Sequence, residues 1–390
     1  MIFRDEINES LTLMFAEAVK ERKQRGEDIL SLGLGEPDFS PPHELIEAFK
    51  ESLTNPASAR YSASPGLLSL REKIAGKLKS ENDINCSAGN IIITPGTKQS
   101  VILTLMAILE PKDEVIIIEP AYVSYIPQVY LAEPQAVIKK VHLDKNSYQL
   151  DLLQIQKAIT EKTKAIILNT PHNPTGCMIN EADLRSIYEI TEKQQIFILS
   201  DEIYDKLVFG SSPHFSIGSI EKEPNRVVTL NGFGKSLGVT GWRIGYSCLP
   251  AKLFGKVNKL QQHINTNTST VVQMAFDTAW PLPMEHLLEY NLKLLKRKEI
   301  YSNFLKETPI LSGSSPTGGF FAFINICKLE IDSLEFASKL VDKTGVAVTA
   351  GIAFGKKWND HFRISLAVED EILKEAFSRI HHFIANELWK

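Results

Sequence analysis

Between residues 90 and 248 the chain is punctuated by short apolar runs rich in Ile, Val and Leu. They are Asn90–Thr94, Glu114–Glu119, Ala136–Lys139, Lys164–Asn169, Ile196–Ser200, Arg226–Leu230 and Trp242–Cys248. Several are continuous rather than alternating, the pattern of strands covered on both faces of a mostly parallel sheet. Stretches with helical spacing fill the gaps, among them Thr97–Leu109, Glu181–Lys193 and Ala251–Asp277. Strand–helix alternation of this kind predicts a doubly wound α/β domain.

The two ends read differently. Residues 1–25 have a helical pattern rich in Glu and Lys. From about residue 286 a long helix is followed by a Gly-rich strand, GGFFAFI, by further helix and strand, and by a last helix from near Glu369 almost to the end. The expected fold class is α/β: a large domain with a mostly parallel doubly wound sheet over 45–285, plus a smaller α+β domain formed by both chain ends, 1–44 and 286–390. A length of 390 residues suits about two domains.

Composition narrows the function classes. The formal net charge of -4 gives no reason to expect nucleic acid or an anionic membrane surface as a partner. No apolar run approaches the ~20 residues needed to span a bilayer, and the N-terminus lacks the basic-then-apolar order of a secretory signal. Cys86, Cys177, Cys248 and Cys327 are scattered without a CxxC pair, and the histidines form no HExxH pattern. The expectation is a cytoplasmic protein with no metal site.

In open α/β sheets ligands bind beyond the carboxyl ends of the strands, so the residues after each run carry the candidate chemistry. After Asn90–Thr94 comes Pro95-Gly96-Thr97-Lys98 and then a helix; this is either a phosphate cradle at a helix N-terminus or an ordinary capped turn. After Lys164–Asn169 comes Thr170-Pro171-His172-Asn173-Pro174-Thr175-Gly176, a stiff loop that either only turns or aims Asn173 at a ligand oxygen. After Ile196–Ser200, Asp201 and Tyr204 are positioned for a crevice, although a strand-end Asp also serves as a cap.

After Arg226–Leu230 the string Asn231-Gly232-Phe233-Gly234-Lys235-Ser236-Leu237-Gly238 has three readings. Gly-Lys-Ser resembles a P-loop, but Thr229 stands where that motif needs glycine. Gly234–Gly238 matches the GxSxG of a serine hydrolase, with Ser236 as nucleophile and His263 or His361 as base. The third makes Lys235 a Schiff-base lysine and Arg243 a phosphate ligand.

The ordered set GEPDF (35–39), Tyr61, TPGTKQ (94–99), EPAYVSY (119–125), NTPHNPTG (169–176), SDEIYDKL (200–207), NGFGKSLGVTGWRIGY (231–246), GGFF (318–321) and FRISLA (362–367) resembles the class I/II aminotransferases. These are fold-type-I pyridoxal-phosphate enzymes, and the likeness is to their bacterial aspartate aminotransferase-like branch. It runs from about residue 28 to the C-terminus. Neither the hydrolase nor the P-loop reading accounts for NPTG, DEIY and GWRIGY together.

The resemblance implies a role for each matched residue. Lys235 is the Schiff-base lysine, and Asp201 pairs with the pyridine nitrogen of pyridoxal 5'-phosphate. Tyr204 and Asn173 reach the ring oxygen, and Tyr122 lies against the ring face. Arg243 with Gly96, Thr97 and Lys98 holds the phosphate. Tyr61 reaches the phosphate in a neighbouring subunit, which implies a homodimer with shared sites. Arg363, helped by Gly35 and Asn173, takes the substrate α-carboxylate, and the smaller domain closes over the substrate. The implied reaction is transamination between an L-amino acid and a 2-oxo acid. A β-lyase, a synthase, an amino-acid oxidase and a non-catalytic ligand-binding member are the alternatives.

Three features depart from the family pattern. Gly232 and Gly234 stand where hydroxyl residues are common, with Ser236 as the candidate replacement donor. Ala350-Gly351 replaces Pro-Gly, and the segment NESLTLMF is an unusual opening. The polar segment His263–Thr268 has no arginine to meet a second carboxylate, which points to a polar or neutral substrate side chain, with Lys98 as the one candidate cation for an acidic one.

Overall fold

The computed structural model describes residue 7 and residues 9–388. The N-terminal helix covers Leu11–Gln24; residues 1–6 and 8 of the stretch expected to be helical, Asn8 of the unusual opening among them, lie outside the described residues. Strand β1 (Leu30–Ser31) follows.

The central sheet has seven strands: β2 (Ile91–Thr94), β3 (Glu114–Glu119), β4 (Val137–His142), β5 (Thr163–Asn169), β6 (Phe197–Asp201), β7 (Val227–Gly232) and β8 (Gly245–Cys248). Their spatial order is β2-β8-β7-β6-β5-β3-β4. β3 to β7 pair in parallel, while β8 runs antiparallel to both β2 and β7. The continuous apolar run of β3 splits by parity. Val115 and Ile117 pack with Leu103, Leu105 and Val257 on one face. Ile116 and Ile118 pack with Ile155, Leu184 and Ile187 on the other. Each such burial stabilises by roughly 1.5–3 kcal/mol. Edge strand β4 keeps Lys139 and Lys140, which pair with Glu114 at 3.2 Å and Glu119 at 2.7 Å; lysines on an edge discourage pairing with another chain.

Two sequence expectations need correction. The run Trp242–Cys248 is strand only from Gly245, because Thr240–Trp242 is a 3₁₀ turn and Arg243 adopts a left-handed conformation with φ 55°. The expected single helix Ala251–Asp277 is two helices, Ala251–Ile264 and Thr270–Thr278. Between them Thr266 has φ 64°, and Asn267 donates to the Thr268 carbonyl and, at 3.0 Å, to Ser62 Oγ. These side-chain bonds compete with helix continuation.

The ends of the chain meet. β9 (Ser312–Gly313) and β10 (Phe321–Asn325) precede β11 (Val346–Ala347), β12 (Thr349–Ala350) and β13 (His361–Ser365). β1 pairs in parallel with β11, and β12-β13-β10-β9 form an antiparallel sheet. The helices His286–Glu307, Ser333–Thr344 and Asp370–Phe383 cover it through one core that includes Leu294, Phe336, Phe362, Phe377 and Ile380.

Because β8 is reversed, its amino end lies level with the carboxyl ends of β2 and β7. Thr94 pairs with Gly245, and Gly232 with the same residue. Residues before β8 and residues after β2, β5, β6 and β7 are thereby brought to one rim.

Candidate active site

Asp201 closes β6 and is buried. Tyr125, at the start of the helix Tyr125–Ala132, donates to its Oδ2 at 2.7 Å, and the Ile203 amide donates to Oδ1 at 3.3 Å. Asn169 at the end of β5 donates to the Asp201 carbonyl at 3.0 Å. Burial pushes the Asp201 carboxyl up from 3.8 to about 6, and the Tyr125 hydrogen bond works against that shift. A buried carboxylate near neutrality is a ready partner for a cation that arrives without its water.

Lys235 lies three residues past β7. Its Nζ donates to the Gly35 carbonyl and stands 5.8 Å from the Phe320 ring centroid. Burial lowers the amine from 10.5 to about 8; Glu36 and Asp201 oppose the shift, while Arg363 and Arg243 add to it. An amine poised this close to neutrality is available as a nucleophile.

The phosphate-type cradle is built by contact. Gly96 has φ +86° and caps the helix Thr97–Ile108, whose first N–H groups face the rim. A Cβ on Gly96 would stand 2.5 Å from Arg243 Nη2, so the arginine fork and the helix N-terminus share one small volume. Arg243 donates from Nη1 to the Thr240 carbonyl at 3.0 Å and from Nη2 to the Pro95 carbonyl at 3.3 Å. A helix N-terminus beside a guanidinium suits a phosphate dianion.

The glycines in this segment have a steric reason. A Cβ on Gly232 would lie 3.0 Å from Gly245 Cα and 3.1 Å from Thr97 Oγ1. Thr97 occupies the space a serine side chain would need there, and its hydroxyl donates to the Asn231 carbonyl at 3.0 Å. Ser236, the expected replacement donor, is buried and turns its hydroxyl to the Phe233 carbonyl at 3.4 Å.

Arg363 on β13 is buried. Its Nη1 donates to Asn173 Oδ1 at 3.0 Å and its Nη2 to the Gly33 carbonyl at 2.7 Å and to Thr349 Oγ1 at 3.3 Å. The guanidinium lies 4.2 Å from the Phe321 ring centroid, and burial lowers it from the ordinary arginine range to about 10, so it stays charged at neutral pH. Its Nε is a buried donor with no hydrogen-bond partner. Asn173 is hydrogen-bonded to Tyr204, whose hydroxyl is held above its ordinary value by burial and by nearby Asp201. Tyr204 packs edge-on against Phe320 and Phe321.

One rim thus gathers Gly35, Gly96, Thr97, Asn173, Asp201, Tyr204, Lys235, Arg243 and Arg363. Tyr122 lies beside it, 5.4 Å edge-on from Tyr125, with Lys98 Nζ 5.8 Å from its ring centroid. Tyr61 is not in this chain's rim and is 86% exposed. Tyr125, Asn169, Thr349 and Gly33 are given no role in the site by the sequence. Tyr125 and Asn169 leave a trace, standing inside EPAYVSY and at the head of NTPHNPTG; Gly33 and Thr349 enter through their contacts with Arg363.

The donor set fits pyridoxal phosphate. It offers a carboxylate for a ring nitrogen, an amide–phenol pair for a ring oxygen, an amine for an aldehyde, and an arginine with a helix N-terminus for a phosphate. The orphaned Arg363 Nε leaves a donor for a carboxylate in addition.

The chain is similar to known proteins over nearly its whole length. The family described as "Aminotransferase class I and II" matches residues 27–380. An aspartate aminotransferase of Bacillus subtilis is 36% identical over 382 residues, 96% of each chain. An aromatic-amino-acid aminotransferase of Thermococcus litoralis is 34% identical over 361 residues, 91% of each chain. The structure of Thermus thermophilus aspartate aminotransferase with maleate superposes with a TM-score of 0.92 at 28% identity, covering 98% of this chain and 99% of that one.

Proposed function

The chain belongs to the class I and II aminotransferases, and from that premise we propose how its own residues carry the reaction. It is a pyridoxal-phosphate-dependent aminotransferase moving an amino group from an L-amino acid to a 2-oxo acid. Bound pyridoxal phosphate supplies an aldehyde that takes up the amino group and a ring that withdraws electrons from the substrate α-carbon.

In this reading Lys235 would hold the cofactor through its Nζ. The same Nζ, neutral above about pH 8, would take the proton from the substrate α-carbon and hold it as the ammonium. Asp201, braced by Tyr125, keeps the ring nitrogen protonated. Asn173 and Tyr204 donate to the ring oxygen, and Tyr122 covers the ring face. Arg243 with Gly96, Thr97 and Lys98 takes the phosphate. Arg363 grips the α-carboxylate with its planar fork, aided by Asn173 and the main chain at Gly35.

The observation that carries the proposal is the meeting of Lys235, Asp201, Arg243 and Arg363 on one rim, with an amine lowered to about 8 beside a carboxyl raised to about 6. We assign residues 45–285 to the cofactor-binding domain, and 1–44 with 286–390 to a smaller domain closing over the substrate. The working unit is a cytoplasmic homodimer in which Tyr61 reaches the partner's phosphate site; its 86% exposure in a single protomer agrees with that role.

For the substrate, the proposal departs from the polar-or-neutral expectation. Lys98 stands beside Tyr122 at the mouth of the rim, and several relatives are named aspartate aminotransferases. An acidic donor with 2-oxoglutarate as acceptor fits both. The test mixes the cofactor-loaded protein with each amino acid in turn, with and without oxygen, following absorbance and the 2-oxo acid formed. Aspartate or glutamate conversion independent of oxygen is expected. No response to any amino acid, or oxygen uptake with ammonia release, would overturn the reading.

A further inference from the structure

We propose that Arg297 is a positioning residue that locks together the two segments gripping the substrate carboxylate, an inference that rests on the carboxylate role given to Arg363. The first segment runs from Gly33 to Phe39. Its Gly33 carbonyl accepts from Arg363, its Gly35 carbonyl from Lys235, and Glu36 from the Thr240 hydroxyl at 2.7 Å. The second segment is β13 extended to Leu366, with Arg363 three residues before that end.

Arg297 sits on the helix His286–Glu307 with its side chain 5% exposed. Its Nη1 donates both to Asp38 Oδ1 at 3.0 Å and to the Leu366 carbonyl at 3.1 Å. Its Nη2 donates to Asp38 Oδ2 at 2.8 Å, which completes a two-pronged grip on that carboxylate. Tyr290, seven residues earlier on the same helix, adds a donor to Asp38 Oδ1 at 2.8 Å. One nitrogen therefore ties the Asp38 loop to the end of the Arg363 strand. The Ser365 amide bond to the Leu32 carbonyl, at 2.6 Å, holds β13 against the chain just before the first segment.

The remaining prong points elsewhere. Arg297 Nε donates to Asp370 Oδ1 at 3.0 Å, and Asp370 also pairs with Lys296 at 2.6 Å. Asp370 opens the last helix, and both of these partners belong to the long helix rather than to either gripping segment. A staple that only fixes the long helix to the core would depend on both carboxylates alike. A lock on the site depends on Asp38.

The test uses the cofactor-loaded protein with Arg297→Lys, which keeps the charge and loses the fork, with Asp38→Asn as a second variant on the loop side and Asp370→Asn as the control. Two quantities are read besides Tm. One is amide hydrogen exchange over 30–40 and 361–367. The other is affinity for α-methylaspartate, which cannot lose an α-proton, followed by absorbance. Arg297→Lys and Asp38→Asn should each speed exchange over 30–40 and weaken α-methylaspartate by about tenfold, the effect of losing one charge-assisted hydrogen bond. Asp370→Asn should lower Tm and leave both quantities unchanged. Equal weakening in Asp370→Asn, or unchanged exchange in both loop-side variants, would overturn the lock. Exchange needs no turnover, so a wild type that ignores every amino acid would count against the aminotransferase reading while the exchange comparison still decides the lock.

Discussion

Arg363→Lys is the perturbation that separates grip from mere charge. The native guanidinium is positioned by the Gly33 carbonyl at 2.7 Å, Asn173 Oδ1 at 3.0 Å and Thr349 Oγ1 at 3.3 Å. It lies over Phe321, 4.2 Å from the centroid. Lysine also brings a cationic head group, although burial lowers an amine toward neutrality as it does Lys235. That head group cannot present two parallel N–H groups to a carboxylate. One charge-assisted hydrogen bond is worth ~1.5–3 kcal/mol, which corresponds to roughly 10–150-fold. The loss falls on binding made equally in the ground and transition states, so KM should rise by that factor for the amino acid and the 2-oxo acid alike, with kcat nearly unchanged. Steady-state kinetics with each substrate varied in turn reads this directly. KM values within about twofold of wild type for both substrates would refute the placement of the carboxylate on Arg363.

Gly96→Ala should weaken cofactor affinity at least about tenfold, since φ +86° strains any side chain by ~1–3 kcal/mol and the new Cβ would meet Arg243 Nη2; unchanged affinity in a fluorescence titration would remove the phosphate from that turn. Tyr125→Phe takes away the hydroxyl that lowers Asp201, so the carboxyl should rise beyond about 6 and the acid limb of cofactor association should move to higher pH; an unmoved limb would deny Tyr125 its bracing role. Lys235 has a folded value of about 8 against an ordinary 10.5, so the folded state disfavours its proton. That penalty is fully felt below about pH 8 and fades as pH rises toward 10.5, so the cofactor-free protein should gain up to about 3 kcal/mol of stability across this window relative to Lys235→Met. Parallel denaturant-unfolding curves for the two proteins at every pH would contradict the lowered amine.

Much of the central sheet is legible in the sequence because its strands are buried on both faces, and burial leaves a continuous apolar signature. β3 matches its run residue for residue. The edge strand β4 extends three residues beyond its apolar run because the edge tolerates Lys140 and His142 while Val141 between them is buried in the core. The start of β8 misleads because Trp242 and Ile244 are apolar for packing reasons, while Arg243 needs a left-handed backbone to turn its fork toward Gly96. The helix break at 265–269 is set by Asn267 reaching Ser62, a partner no local window contains. In the site, Lys235, Asp201 and Arg243 are legible through motifs at strand ends. Tyr125 lies inside a motif with nothing local to give it a role, and no sequence pattern marks Arg297. Their importance lies in partners 76 and 259 positions away, Asp201 and Asp38, and only folding brings these together.

Everything proposed for this site turns on Lys235 carrying the cofactor. Borohydride reduction of the protein loaded with pyridoxal phosphate, followed by digestion and peptide mass mapping, tests it most directly. The pyridoxyl label should sit on Lys235 alone and be lost in Lys235→Ala, which still has Asp201 and Arg243 to hold the cofactor. A label on another lysine, or undiminished labelling in that variant, would contradict it.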